Sequence, residues 1–342
     1  MPTTGSSTFS ETFTVTADNP LLSDHRVYGR TLLPGVGYVD LVLQVLARHG
    51  HAMPDVELRN LTILAPLVAG PGEQILTTVG ASPAPAGGSR IEVRSRRPQD
   101  SADVAHAMVT AHRRPAPDFG GRRLSLPLTG AERLLSIADV YAWVRERELV
   151  HSGLMKVGGM VHHRAADSVV ALELPQEHSG SAPNFLFHPA LFEAGLLGGG
   201  VGMHVLDEEH QGDDLYLPLV FESFRAIAPL GPRCFVRVPA ASARREDELF
   251  RLAVEFYDET GAQIAEIGQL VAKRVRAAES LDVRDGSRSA AVTTTPAQMV
   301  SLVPQLENRL TLSAGSRAAA RRPAPPSAHW PPGCSRCRAA YG

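Results

Sequence analysis

Two segments of the 342-residue sequence carry residues that could move protons. The first runs His25-Arg-Val-Tyr-Gly29-Arg-Thr-Leu-Leu33-Pro34-Gly35. An imidazole stands before a glycine at which the backbone can turn sharply, and Pro34 then opens an apolar segment. A histidine fixed at the mouth of an apolar tunnel titrates near neutral pH, as a general base should. A surface-loop histidine would give the same local sequence. The second segment is His188-Pro189-Ala-Leu-Phe-Glu193-Ala-Gly-Leu-Leu197. Glu193 is flanked by Leu191, Phe192, Ala194 and Leu196. Burial there would raise its pKa toward the range of a general acid, unless the residue lies on a polar helix face.

The elements that must position these residues follow from the hydrophobic pattern. Residues 10–16 alternate as a half-buried strand, and a loop rich in Asp, Asn, Pro and His follows. Val39, Val42, Leu43 and Leu46 have i, i+3, i+4, i+7 spacing, which predicts an amphipathic helix from Val36 to about Gly50. Strands are expected at 56–64, 74–80, 90–96 and 105–113. Residues 1–115 thus read as one unit and 116–136 as a linker rich in Pro, Gly and Arg. The same order recurs in looser form over 137–276: a short helix, a strand at 167–175, an apolar helix opened by Pro189, and four closing strands. Gly198, Gly199, Gly200 and Gly202 would each weaken that helix by up to about 1 kcal/mol, unless they allow close packing or a substrate passage. They match no phosphate-binding loop.

Composition narrows the class. Thirty-four Lys and Arg face thirty-six Asp and Glu, a formal net charge of -2, so no global field favours nucleic acid or an anionic membrane. No apolar run approaches the ~20 residues of a membrane span, and no signal peptide is visible, so a cytoplasmic protein is expected. Cys234 lies in an apolar run and is expected to pack as a small hydrophobe. Cys334 and Cys337 form a CxxC pair with only His329 nearby, so no metal site is expected. Residues 277–342 read as a mostly disordered tail, apart from an apolar stretch at 299–312 that could form a docking helix interrupted by Pro304.

Together the two segments resemble the polyketide synthase dehydratase family. Its HxxxGxxxxP motif is matched by His25, Gly29 and Pro34. Its HPxxxDxxxQ or HPxxxDxxxH motif is matched at His188 and Pro189, with Glu193 in place of aspartate and Leu197 in place of glutamine or histidine. The family's YGPxF segment aligns with His151-Ser152-Gly153-Leu154-Met155. LAPLV at 64–68 and the closing strand through Val275 fall in family order, so the resemblance spans about residues 10–276. It implies an α+β double hot dog, two antiparallel sheets each wrapping a central helix, with one site between the halves. It further implies that His25 removes the α-proton of a β-hydroxyacyl thioester while Glu193 supplies the acid. Gly29, Leu33, Pro34, His151, His188, Pro189 and Leu197 would surround the substrate. That substrate would arrive on the phosphopantetheine of an acyl carrier protein, with no other cofactor and with a ketosynthase or other synthase domains as neighbours. Whether two copies form a homodimer stays open.

The departures widen the range of reactions. Glutamate moves the carboxyl by about one methylene, and a misplacement near 1 Å can cost on the order of a hundredfold in rate. Proton abstraction without water loss is the alternative: double-bond isomerisation, pyran cyclisation or chain branching. A non-catalytic scaffold beside a ketosynthase is a second alternative, and a hot dog thioesterase a third.

Overall fold

The computed structural model describes residues 8–85, 87–204 and 215–276. The Cys334/Cys337 pair, the 299–312 stretch and the rest of the expected tail lie outside the described residues. The first half contains β1 (Phe9–Thr16), α1 (Pro20–Ser23), β2 (His25–Val27), β3 (Arg30–Thr31), α2 (Gly37–Arg48), β4 (Val56–Ile63), β5 (Gln74–Pro83), β6 (Ser89–Arg96) and β7 (Val104–Arg113). The second begins with β8 (Arg133–Ser136), α3 (Ile137–Arg145), β9 (Leu149–His151), β10 (Gly158–Arg164), β11 (Asp167–Glu173), α4 (Gln176–Ser179) and α5 (Pro189–His204). It ends with β12 (Leu215–Ala226), β13 (Arg233–Pro239), β14 (Arg244–Glu246), β15 (Leu249–Asp258) and β16 (Gln263–Val275). The stretch expected as linker therefore ends in a strand, and the loop expected after β1 holds α1, β2 and β3.

Sheet order is β1-β5-β6-β7-β4 in the first half and β12-β16-β15-β13-β11-β10-β8 in the second. Antiparallel pairing of β4 with β12, Leu61 opposite Phe221 and Leu58 opposite Phe224, fuses them into one thirteen-stranded sheet. The two sheets expected from the sequence thus meet edge to edge, and neither seam strand is left as an open edge. Among the described residues, no helix is long and apolar enough to cross a membrane.

Each half wraps one helix. Along α2, Tyr38, Val39, Leu41, Val42, Leu43, Val45 and Leu46 are all buried, so the helix is enclosed rather than half solvated. Its last turn is tied to β1 by Arg48–Glu11 at 2.8 Å. The glycines of α5 turn out to serve packing. A Cβ on Gly195 would lie 2.5 Å from Val236, and one on Gly199 would lie 2.5 Å from Val238, both on β13. Small residues thus let the helix backbone approach the sheet, which offsets their low helix propensity. Phe187, Phe192, Phe221, Phe224 and Phe256 fill the space between α5 and the seam, with Phe187–Phe224 centroids 5.0 Å apart and edge-to-face.

Candidate functional site

The turn after His25 sets its imidazole. Val27 pairs with Arg30 across a two-residue turn in which Tyr28 (φ 48) and Gly29 (φ 75) are both left-handed. Two positive φ angles define the tight hairpin turn that glycine favours. Gly29 therefore shapes the hairpin, which returns the chain so that His25 Nδ1 meets the Leu32 carbonyl at 2.7 Å. That bond places the Nδ1 proton and turns Nε2 toward the interior.

Strand β2 also pairs with β9 from the second half, and His25 stands opposite His151 in that register. The two rings lie 5.4 Å apart, edge to face. Strand β9 is held in place by α3, which starts with a capping box between Ser136 and Asp139. Tyr141 of α3 packs its ring 4.9 Å from that of His151. Its hydroxyl donates to the Met155 carbonyl and accepts from the Val157 amide, both at 3.2 Å.

Glu193 comes from α5. At the start of that helix, His188 Nδ1 accepts the Ala190 N–H at 3.3 Å, and Nε2 faces Ser181 Oγ at 3.1 Å. Burial, aided by nearby His178, pushes the His188 pKa down to about 3, so this ring stays neutral. His188 and Pro189 thus organise the helix start. One turn further, Glu193 Oε1 lies 3.0 Å from His25 Nε2 and 3.4 Å from His151 Nε2. All three residues are nearly inaccessible, with side-chain exposures of 2%, 1% and 12% for His25, His151 and Glu193.

The electrostatics correct one sequence expectation. Burial alone would raise the Glu193 pKa, but the adjacent His25 and His151 rings and the His25 hydrogen bond outweigh it and hold the carboxyl well below its usual range. Burial likewise works against a charged His25, yet the Glu193 charge, its hydrogen bond and the Leu32 carbonyl leave His25 raised above 6.5. His151 is lowered, chiefly by burial, with Glu193 opposing and His25 and Lys156 adding to the fall. The pairing therefore favours the imidazolium form at His25 and the carboxylate form at Glu193, whereas burial disfavours a cationic His151. The 3.4 Å approach of His151 falls outside hydrogen-bond geometry, and both its ring nitrogens and Glu193 Oε2 are buried without a hydrogen-bond partner.

Glu193 is also where this cluster meets a cavity. A narrow, mostly apolar space of about 90 Å³ runs along α5 past Glu193, Leu197, Gly200 and Val201. Gly35, Trp143, Pro218 and Phe250 are among the residues that close its other sides. Of the residues expected around the substrate, Leu197 lies on this wall. Leu33 is buried in the core, and Pro34 leads into Gly35. The sequence reading missed Trp143 and Phe250 because an apolar side chain gives no local sign of facing a cavity. Among the described residues, the donor atoms of His25, His151 and Glu193 lie within 4.8 Å of one another, close enough to share a metal ion. Cys234 is buried in β13, where burial raises its thiol well above the usual range and leaves it inert.

Comparison with known proteins agrees with this architecture. Residues 1–96 match the family described as polyketide synthase dehydratase domain, and residues 121–282 match polyketide synthase dehydratase N-terminal domain. Polyketide synthase PksM of Bacillus subtilis is 34% identical over 271 residues, covering 78% of this chain and 6% of that protein. PksL of the same organism is 33% identical over 273 residues, again 6% of its length. The chain thus spans a small part of these synthases. Among solved structures, a monomeric dehydratase domain from a trans AT polyketide synthase split module is 30% identical with TM-score 0.73, covering 79% of this chain and 100% of that one. An N-terminal dehydratase from the difficidin assembly line has the same fold at TM-score 0.71 and 21% identity.

Proposed function

The chain belongs to the polyketide synthase dehydratase family, and we propose that it acts on a β-hydroxyacyl or enoyl thioester carried by an acyl carrier protein. The observation that carries this reading is the buried His25–Glu193 pair, 3.0 Å apart beside an apolar cavity. That contact is short enough to pass one proton between the two groups. With the proton on Glu193, neutral His25 can accept the α-proton of the thioester, and the Glu193 carboxyl can protonate the departing β-hydroxyl. Both groups are desolvated, so a shift of the proton along their hydrogen bond changes their roles without help from water.

Leu197 favours a second reading. It places an apolar side chain on the cavity wall one helical turn beyond Glu193, where a polar group could have held a leaving hydroxyl. The same proton abstraction on an enoyl chain then yields a double-bond shift, with cyclisation or branching as further uses of the carbanion. Gly29, Leu33, Pro34, His188 and Pro189 support these roles by placing His25 and Glu193. The proposed partner is the acyl carrier protein, with a ketosynthase or other synthase domains beside it.

Incubation with β-hydroxyacyl and enoyl carrier-protein substrates, followed by mass spectrometry of the tethered product, tests the proposal. Loss of one water means dehydration, and unchanged mass with a moved double bond or closed ring means the second reading. Addition of a malonyl-derived unit, when a ketosynthase is present, means branching. An unaltered substrate with no hydrogen exchanged at its α-carbon would leave a non-catalytic scaffold, and release of the free thiol would mean a thioesterase.

A further inference from the structure

We propose that His151 is a third proton-carrying group of this site, exchanging with His25 through Glu193. The inference rests on the proton-transfer reading above. Its geometric basis is independent of the motifs that identify His25 and Glu193. Strands β2 and β9 are three residues each, and their register sets the two histidines opposite one another. Both Nε2 atoms approach the same carboxylate oxygen, at 3.0 and 3.4 Å. His25 Nδ1 is committed to the Leu32 carbonyl, whereas neither ring nitrogen of His151 has a hydrogen-bond partner in its buried position. Burying an imidazole with both nitrogens unsatisfied is unfavourable, and such a group calls for an explanation in function.

A third carrier resolves a difficulty of the pair. While the shared proton sits on His25, that ring cannot act as a base. Transfer through Glu193 to His151, once that ring turns Nε2 into line with the carboxylate, frees the His25 Nε2 lone pair and leaves an ionised carboxylate between the rings. His25 can then take the α-proton: the C–H bond breaks, its electron pair becomes the thioester enolate, and His25 becomes cationic. The proton stored on His151 returns through Glu193, either to carbon or to a departing hydroxyl. No atom or electron is gained or lost by the protein over the cycle. His151 Nε2 lies 3.4 Å from the Glu193 carboxylate, and Glu193 lines the cavity where His151 does not, so His151 acts through Glu193 as a relay.

The test uses an α,α-dideuterated 3-hydroxybutanoyl-pantetheine thioester in ordinary water, with deuterium loss followed by mass spectrometry. Binding of the saturated butanoyl thioester is measured separately by calorimetry. The expected result for H151N is at least a hundredfold slower loss of deuterium, with Kd unchanged within twofold, on the scale of a removed acid–base group. H151Q serves if H151N does not fold. Exchange within threefold of the unsubstituted protein would overturn the relay, and so would a Kd weakened in proportion to the rate, which would make His151 a wall residue. Loss of exchange on dialysis against a chelator, restored by zinc, would overturn it in favour of a metal on the same three donors. Absence of exchange in the unsubstituted protein would instead remove the proton-transfer reading itself.

Discussion

Each half of the molecule encloses one helix, and each helix buries one carboxylate. The two carboxylates have opposite character. Asp40 of α2 accepts the backbone N–H groups of Leu186 and Phe187 at 2.7 and 2.9 Å, and the side-chain amide of Gln44 also contacts it. Burial dominates there and raises its pKa to about 7. Glu193 of α5 faces two imidazoles instead, and they drive it the other way despite similar burial. Burial alone therefore does not decide what an internal carboxylate does. Dipolar neighbours make Asp40 a clamp between α2 and the segment leading into α5, whereas titratable neighbours make Glu193 half of a proton-transfer pair.

The largest test of this contrast lies in activity. H25A and E193Q should each lower turnover of a carrier-bound substrate by about 10²–10⁴-fold while the melting transition stays cooperative. D40A should do the converse. It leaves two buried N–H groups without their acceptor, at about 1–3 kcal/mol each, while the folded fraction keeps its turnover within a few fold. Urea unfolding together with turnover per folded molecule reads both effects. If D40A lost activity without losing stability, the division between clamp and chemistry would break.

A smaller effect concerns how closely α5 approaches the sheet. G199A places a methyl 2.5 Å from Val238 and should cost about 1–3 kcal/mol, measured as a lower urea midpoint with the same slope. A separate effect is the pH dependence of stability contributed by Asp40. Its pKa is raised in the folded state, so its contribution is full below about 3.8 and is lost as pH rises through about 7. One proton sets a limit of about 1.4 kcal/mol per pH unit on that slope, and D40N should remove it.

His25 and Glu193 were legible as candidates because they fall in the two segments that resemble the family's motifs, and the structure brings them within 3.0 Å of each other. The main strands and α2 were legible from periodicity, and α5 from its apolar run opened by Pro189. His151 could be aligned, but its place beside His25 could not be read. Strands β2 and β9 are too short to show alternation, and their pairing joins residues from different halves. The direction of the Glu193 shift was misread because apolar sequence neighbours announce burial, whereas the opposing imidazoles arrive through tertiary structure. The glycines of α5 carried two readings until Val236 and Val238 showed which side chains occupy the space they leave.

The most direct measurement is a carbon-13 NMR titration of the side-chain carboxyls, following Asp40 and Glu193 in the same sample. The account predicts that Asp40 titrates near pH 7 while Glu193 stays ionised to below the ordinary glutamate range. A Glu193 midpoint at or above that of Asp40 would mean that burial, not the two imidazoles, governs this carboxyl, and would contradict the account.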